Sequence, residues 1–176
     1  EGDDADGSGT RADGRQRRKR PIPDWQTRES SPLKALTDQE IDEKLKKVKG
    51  YRGCVPIDRL PSMINDNESM VVNLEKHNQA GSHWVCFVNH PLDDKVYYFD
   101  SFGIAPDSRI ETYLKGSMKE ICYNSNELQS MASSACGFYC VNFIKEMARR
   151  RDPYDIIYEF AQHGSLANDK IVAEAE

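Results

Sequence analysis

Cys136 stands between a run of small residues, "SMASSA" (130–135), and an apolar stretch, "GFYCVNFI" (137–144). A thiol becomes a useful nucleophile when its thiolate is stabilised, and the unpaired N–H groups of a helix N-terminus do this. Small residues at 132–135 and at Gly137 allow a tight turn and leave room for a substrate. The backbone N–H of Cys136 is also placed to donate to an oxyanion. The same residues equally suit a buried cysteine at a packed helix start, and nothing local decides between the two. Cys140, one turn further on, has no activating neighbour and reads as core.

A nucleophilic cysteine needs a base, and the base needs a group that orients it. His83 opens the strand-like run "HWVCFVN" (83–89), and Asp100 closes the next one, "KVYYFDSF" (95–102). If these two runs pair as a hairpin through "HPLDD", the ends that carry His83 and Asp100 lie side by side. A carboxylate there would hold the imidazole in one tautomer and stabilise its charged form. The competing reading of Asp100 is a turn-capping aspartate before Ser101 and Gly103. Gln129 lies seven residues before Cys136, close enough for its amide to donate to an oxyanion. Trp84 and Gly137 flank the base and the thiol, which makes them candidates for the substrate cleft. His77 and His90 sit in turn-like surroundings and read as surface residues.

The elements that must position these groups are legible in outline. "LTDQEIDEKLKKVKG" (36–50) carries Thr37 as N-cap and Glu40 three residues later, with Ile41, Leu45 and Val48 on one face and Gly50 as the stop; it predicts an amphipathic helix. "SMVVNLE" (69–75), together with the 83–89 and 95–102 runs, predicts strands. A short helix follows at 106–116 and a short strand at 119–125. One helix starts at Cys136, and another starts at "DPYDIIYEFAQ" (152–162), where proline takes a first-turn position. The order predicts an α+β domain over 36–165, with a central mixed sheet. Residues 1–35 read as a disordered polar tail containing the basic run "RQRRKR", and residues 166–176 as a polar C-terminal tail.

Composition narrows the function classes. The 176-residue chain has a net charge of −5, a mean hydropathy of −0.73 and a sequence pI of about 5.5, which gives no whole-protein case for binding nucleic acid. A weak contact through Arg15, Arg17, Arg18, Lys19 and Arg20 is the exception, and a nuclear-import signal is the alternative use of that run. No apolar run approaches a membrane span, and no signal peptide opens the chain, so the expectation is a monomeric protein without membrane contact. Five cysteines without C-x-x-C spacing favour a reducing, intracellular setting over a disulfide scaffold. They form no zinc pattern with the four histidines, so no metal is expected.

Taken together, "GSHWVCFVN", "VYYFDSFG", Gln129 and "SSACGFYCVNFI" resemble the adenovirus-type maturation proteases. Related enzymes occur in virophages and large DNA transposons, and the SUMO-specific proteases belong to the same cysteine-peptidase group. The resemblance covers about residues 69–160. It implies a papain-like, adenoviral-protease-like fold with His83 as general base, Asp100 as its orienting acid, Cys136 as nucleophile and Gln129 as oxyanion donor. It also implies a cysteine endopeptidase that cuts capsid or other virion precursors near glycine, in a nucleus, virion or viral factory. Within the same group, a protease for SUMO or other ubiquitin-like modifiers is the alternative, and a protein acetyltransferase on the same triad is a more distant one. The family's activating peptide and DNA enter as cofactors by resemblance alone; the residues themselves require none. Cys122 lies nearer to Gln129 than the family's peptide-linked cysteine does, and takes no role from the resemblance.

Overall fold

The structure, a computed structural model, describes residues 33–75, 83–131 and 133–176. The basic run at 15–20 and His77 lie outside these residues. Helix α1 (Asp38–Leu45) begins as its sequence dictates. The Thr37 hydroxyl accepts from the Glu40 N–H at 3.1 Å, and the Glu40 carboxylate accepts from the Thr37 N–H at 3.4 Å. This is the reciprocal capping box. Ile41 and Leu45 are fully buried, with Val48 packed beside them.

The helix ends earlier than its pattern suggests. A turn leads to Gly50, at φ +82°, and then into a strand that the pattern does not show, β1 (Tyr51–Pro56). Its sequence, YRGCVP, contains a glycine and a proline, both poor strand formers. Gly53, at φ +126°, sits where the register shifts between Tyr51 and Cys54. The bulge explains why no alternating pattern is visible there.

Strands β2 (Glu68–Asn73), β3 (Trp84–Asn89), β4 (Lys95–Phe99) and β5 (Glu120–Tyr123) complete a five-stranded sheet in the order β1-β2-β3-β4-β5. The inner pairs, β2 with β3 and β3 with β4, are antiparallel. The outer pairs are parallel, so the sheet is mixed as expected. All six residues of β2 are buried, because both faces of the sheet are covered. Val71, Cys86 and Phe99 face a core shared with α1 and α3 (Cys136–Ala148). Met70, Val72, Phe87 and Tyr98 face a second core that includes Ile110 and Leu114 of α2 (Ser108–Lys115). The Phe99 ring stacks on Phe143 of α3 at 4.6 Å, which ties the helix to the end of β4.

Two boundaries differ from the sequence reading. Leu33 already packs against the first core, so order begins before residue 36. After α4 (Pro153–Ala161), the expected C-terminal tail is instead a helix, α5 (Ser165–Ala175). It buries Asn168, Asp169 and Val172 while Leu166 and Ile171 are exposed. With polar residues on its inner side, it lacks the apolar stripe by which a packed helix is recognised.

Candidate active site

The hairpin register does what the sequence suggested. Cys86 pairs with Phe99, which places Val85 opposite Asp100 and His83 opposite Phe102 when the register is continued. Side chains two residues apart share a face, so His83 reaches Asp100 diagonally. The His83 Nε2 and Asp100 Oδ1 atoms are 2.8 Å apart, and the Phe102 ring lies against the imidazole with centroids 4.8 Å apart. The Asp100 side chain is 2% exposed and that of His83 17%.

Asp100 is itself held on several sides. Its Oδ1 accepts from the Phe102 N–H at 2.8 Å. Asn124, just past β5, accepts from the Asp100 N–H at 3.1 Å and donates to its carbonyl at 2.7 Å. Gly103 takes φ +71° and donates to the same carbonyl at 2.8 Å. A Cβ at Gly103 would lie 2.6 Å from the Asn126 carbonyl oxygen, so this turn requires glycine. The motif "DSFG" is thus a structural unit: Asp100 bonds His83, Phe102 covers it, and Gly103 lets the following loop close in.

Cys136 is the first residue of α3 and is buried at 3% exposure. Its sulfur accepts from the backbone N–H of Trp84 at 3.5 Å, which brings the thiol to the start of β3. Burial pulls the His83 pKa down, but the hydrogen bonds to Asp100 and to the Cys136 sulfur outweigh it and push it up to about 9. With Nε2 committed to Asp100, Nδ1 is the ring nitrogen left for the sulfur. The structure therefore brings Cys136, His83 and Asp100 into one hydrogen-bonded chain.

Gln129 is 1% exposed and reaches the segment before Cys136 rather than open space. Its Oε1 accepts from the Ser101 hydroxyl at 2.6 Å. Its Nε2 donates to the Ser133 carbonyl at 2.9 Å and to the Ser133 hydroxyl at 3.3 Å. Ser101 and Asn124 are thus site residues that the sequence reading missed. Ser101 could have been suspected from its place beside Asp100, whereas Asn124 carries no local signal.

Gly137 is also constrained by packing. A Cβ there would lie 3.2 Å from both Ile41 and Leu36 and 3.5 Å from Trp84. The small residue lets the start of α3 pack against the segment around α1. Trp84 shares in that packing and is only partly buried. Cys140 is core, as read: its thiol is pushed well up by burial and by its neighbour Cys86. His90 fills a turn, where its Nδ1 accepts from the Leu92 N–H at 3.1 Å. No disulfide joins cysteines among the described residues. Cys122, on β5, lines a separate cavity of about 460 Å³ with Tyr97, Tyr154 and Tyr158, and Cys136, His83 and Asp100 are not among its walls. Among the described residues, no helix is long and apolar enough to cross a membrane.

A cysteine opening a buried helix, with a histidine and an aspartate on adjoining strand ends, is the arrangement of the cysteine peptidases of the papain-like class. A solved ASFV protease shares the fold, with a TM-score of 0.53 and 16% identity over 68% of this chain and 60% of that one. The family model described as adenovirus endoprotease matches residues 57–158, and the chain belongs to that family. The protease of Bovine adenovirus C serotype 10 is 28% identical over 130 residues, which cover 61% of this chain and 66% of that protein. A provisionally named thiol protease of Acanthamoeba polyphaga mimivirus is 34% identical over 97 residues, 49% of this chain and 32% of that protein. The chain spans less than two-thirds of the length of these curated relatives.

Proposed function

We propose that the protein is a cysteine endopeptidase whose working groups are Cys136, His83, Asp100 and Gln129. The observation that carries the reading is the chain of contacts from Asp100 through His83 to the sulfur at the head of α3, with the imidazole pushed up to about 9. The Trp84 N–H adds a donor to the same sulfur.

In the proposed cycle, His83 takes the Cys136 proton and the thiolate attacks a peptide carbonyl carbon. The carbonyl oxygen becomes an oxyanion. The imidazolium then protonates the departing amine as the C–N bond breaks, which leaves a thioester on Cys136. A water molecule, deprotonated by His83, attacks the thioester, releasing the carboxylic product and restoring the thiol. Gln129 serves the oxyanion by exchanging its longer bond, to the Ser133 hydroxyl at 3.3 Å, for one to the substrate. Asp100 keeps the ring oriented and its charge compensated throughout.

The family suggests virion precursor proteins as substrates, cut near glycine, in the cell nucleus or in a virion. The decisive experiment is a peptide-library cleavage profile for the parent and for Cys136→Ala, with and without DNA and candidate activating peptides. Cys136-dependent cleavage beside glycine is expected. Equal cleavage by both proteins would sink the nucleophile assignment. Turnover of a SUMO or ubiquitin C-terminal fluorogenic substrate, with none on precursor peptides, would move the substrate class to ubiquitin-like modifiers.

A further inference from the structure

Helix α5 is unusual in what it hides. Leu166 is 76% exposed and Ile171 43%, while Asn168 is 1% exposed and Asp169 7%. Burying polar side chains costs free energy unless they are hydrogen-bonded, so the groups they bind explain why the helix is built this way. Asn168 Nδ2 donates to the Leu128 carbonyl at 3.1 Å. Asp169 Oδ1 accepts from the Tyr139 hydroxyl at 2.7 Å and from the Ser130 N–H at 3.4 Å. The same Tyr139 hydroxyl, presented from α3, lies 3.1 Å from the Leu128 carbonyl.

The two main-chain groups held in this way belong to the peptide units on either side of Gln129. The Leu128 carbonyl closes the unit before it, and the Ser130 N–H opens the unit after it. From the opposite direction, the Ser101 carbonyl accepts from the N–H groups of Leu128 and Gln129 at 2.8 and 3.1 Å. The backbone of Gln129 is therefore gripped between the strand end that bears Asp100 and a helix remote in sequence. A side chain that must meet a developing charge gains most from a backbone fixed before the reaction begins.

We propose that Asn168 and Asp169 are positioning residues: α5 clamps the Gln129 loop and thereby sets the aim of the oxyanion donor. This rests on the reading of Gln129 as that donor. It predicts that α5 influences the chemical step without touching substrate and without altering the Cys136–His83 pair.

The test uses the full chain, hydrolysis of an N-acylglycine p-nitrophenyl ester, and alkylation by iodoacetamide. Asn168→Leu keeps the side chain's bulk but removes the bond to Leu128. It is expected to lower kcat about tenfold, the scale of a sub-ångström misplacement, with KM within about twofold. The alkylation rate should stay at the parental value, because alkylation forms no oxyanion. On a Gln129→Ala background the same substitution should cost nothing further, as two changes acting through one group are not additive. If Asn168→Leu does not fold, Asp169→Ala, which removes the acceptor of the Tyr139 hydroxyl and of the Ser130 N–H, should give the same pattern at about threefold. Leu166→Ser, on the exposed side of α5, is the control. An unchanged kcat, or a loss that multiplies with that of Gln129→Ala, overturns the clamp and leaves the peptidase reading intact. Ester turnover that survives Cys136→Ala overturns that reading and the clamp with it.

Discussion

The two ends of the sheet both bury a carboxylate, and they do so to different purposes. At one end Glu68, with a side chain 0% exposed, is closed in by fixed partners. Arg52 Nη1 lies 2.5 Å from one oxygen, and the Tyr113 hydroxyl donates to the other at 2.6 Å. These groups come from β1, β2 and α2, so the pair fastens the strand edge to the helix. At the other end Asp100 has a partner that can change its charge, and that partner faces a thiol. A carboxylate saturated by an arginine and a phenol holds a shape. A carboxylate that shares a histidine with a cysteine sets a protonation state. Burial alone therefore does not mark the active end; the titratable partner does.

The largest effect should come from breaking the active end. Asp100→Asn is expected to lower kcat/KM at least about a hundredfold, the lower end of what a positioned acid–base group contributes. It should also move the alkaline limb of the pH–rate profile below pH 9, because the hydrogen bond to Asp100 is the strongest influence raising the His83 pKa. The same linkage acts on stability. A histidine raised to about 9 contributes stability that is present in full below its unfolded value of about 6.5. That contribution is lost as pH rises through about 9. Thermal melts from pH 6 to 10 should show this decline in the parent and a weaker one in the variant. An alkaline limb that stays in place in Asp100→Asn would mean that another group governs it.

Glu68→Gln should sharpen the contrast from the other end. Removing one charge of a buried pair commonly costs about 3–5 kcal/mol. Arg52 retains a side-chain exposure of 34% and can turn to water, so about 2 kcal/mol is expected here. Denaturant melts would measure it, while the pH–rate profile of the folded fraction should match the parent's. A displaced profile would show that the two ends are coupled through the sheet.

How much of this was legible in the sequence depends on the distance over which each feature is specified. The capping box of α1 and the hairpin that joins His83 to Asp100 are written in short spacings and turn residues, and they were readable. So was the helix that starts at Cys136. The strand β1 was hidden by Gly53 and Pro56, whose effect on propensity is local while the pairing with β2 is not. Helix α5 was hidden because its buried residues, Asn168 and Asp169, serve hydrogen bonds to a loop some forty positions away. Gly137 carries a packing constraint that no local pattern shows. Its constraint comes from Leu36 and Ile41, about a hundred residues earlier in the chain. Local chemistry picks out the candidate groups, whereas the parts that hold them are specified by tertiary contacts.

The smallest expected effect gives the finest comparison, because two tyrosines play parallel parts at the two ends. Tyr113 donates to Glu68 and Tyr139 to Asp169. Replacing either by phenylalanine removes a buried hydrogen bond and leaves a carboxylate oxygen with one donor fewer. Each loss should cost about 1 kcal/mol of stability. Their catalytic consequences should part. Tyr139→Phe loosens Asp169, which holds the Ser130 N–H beside Gln129, and should lower kcat a fewfold with KM unchanged, whereas Tyr113→Phe should alter neither. Equal melting shifts with unequal kcat values would assign the difference to position rather than to stability. Equal kcat values would place Tyr139 with Tyr113, as a fastener of the fold alone.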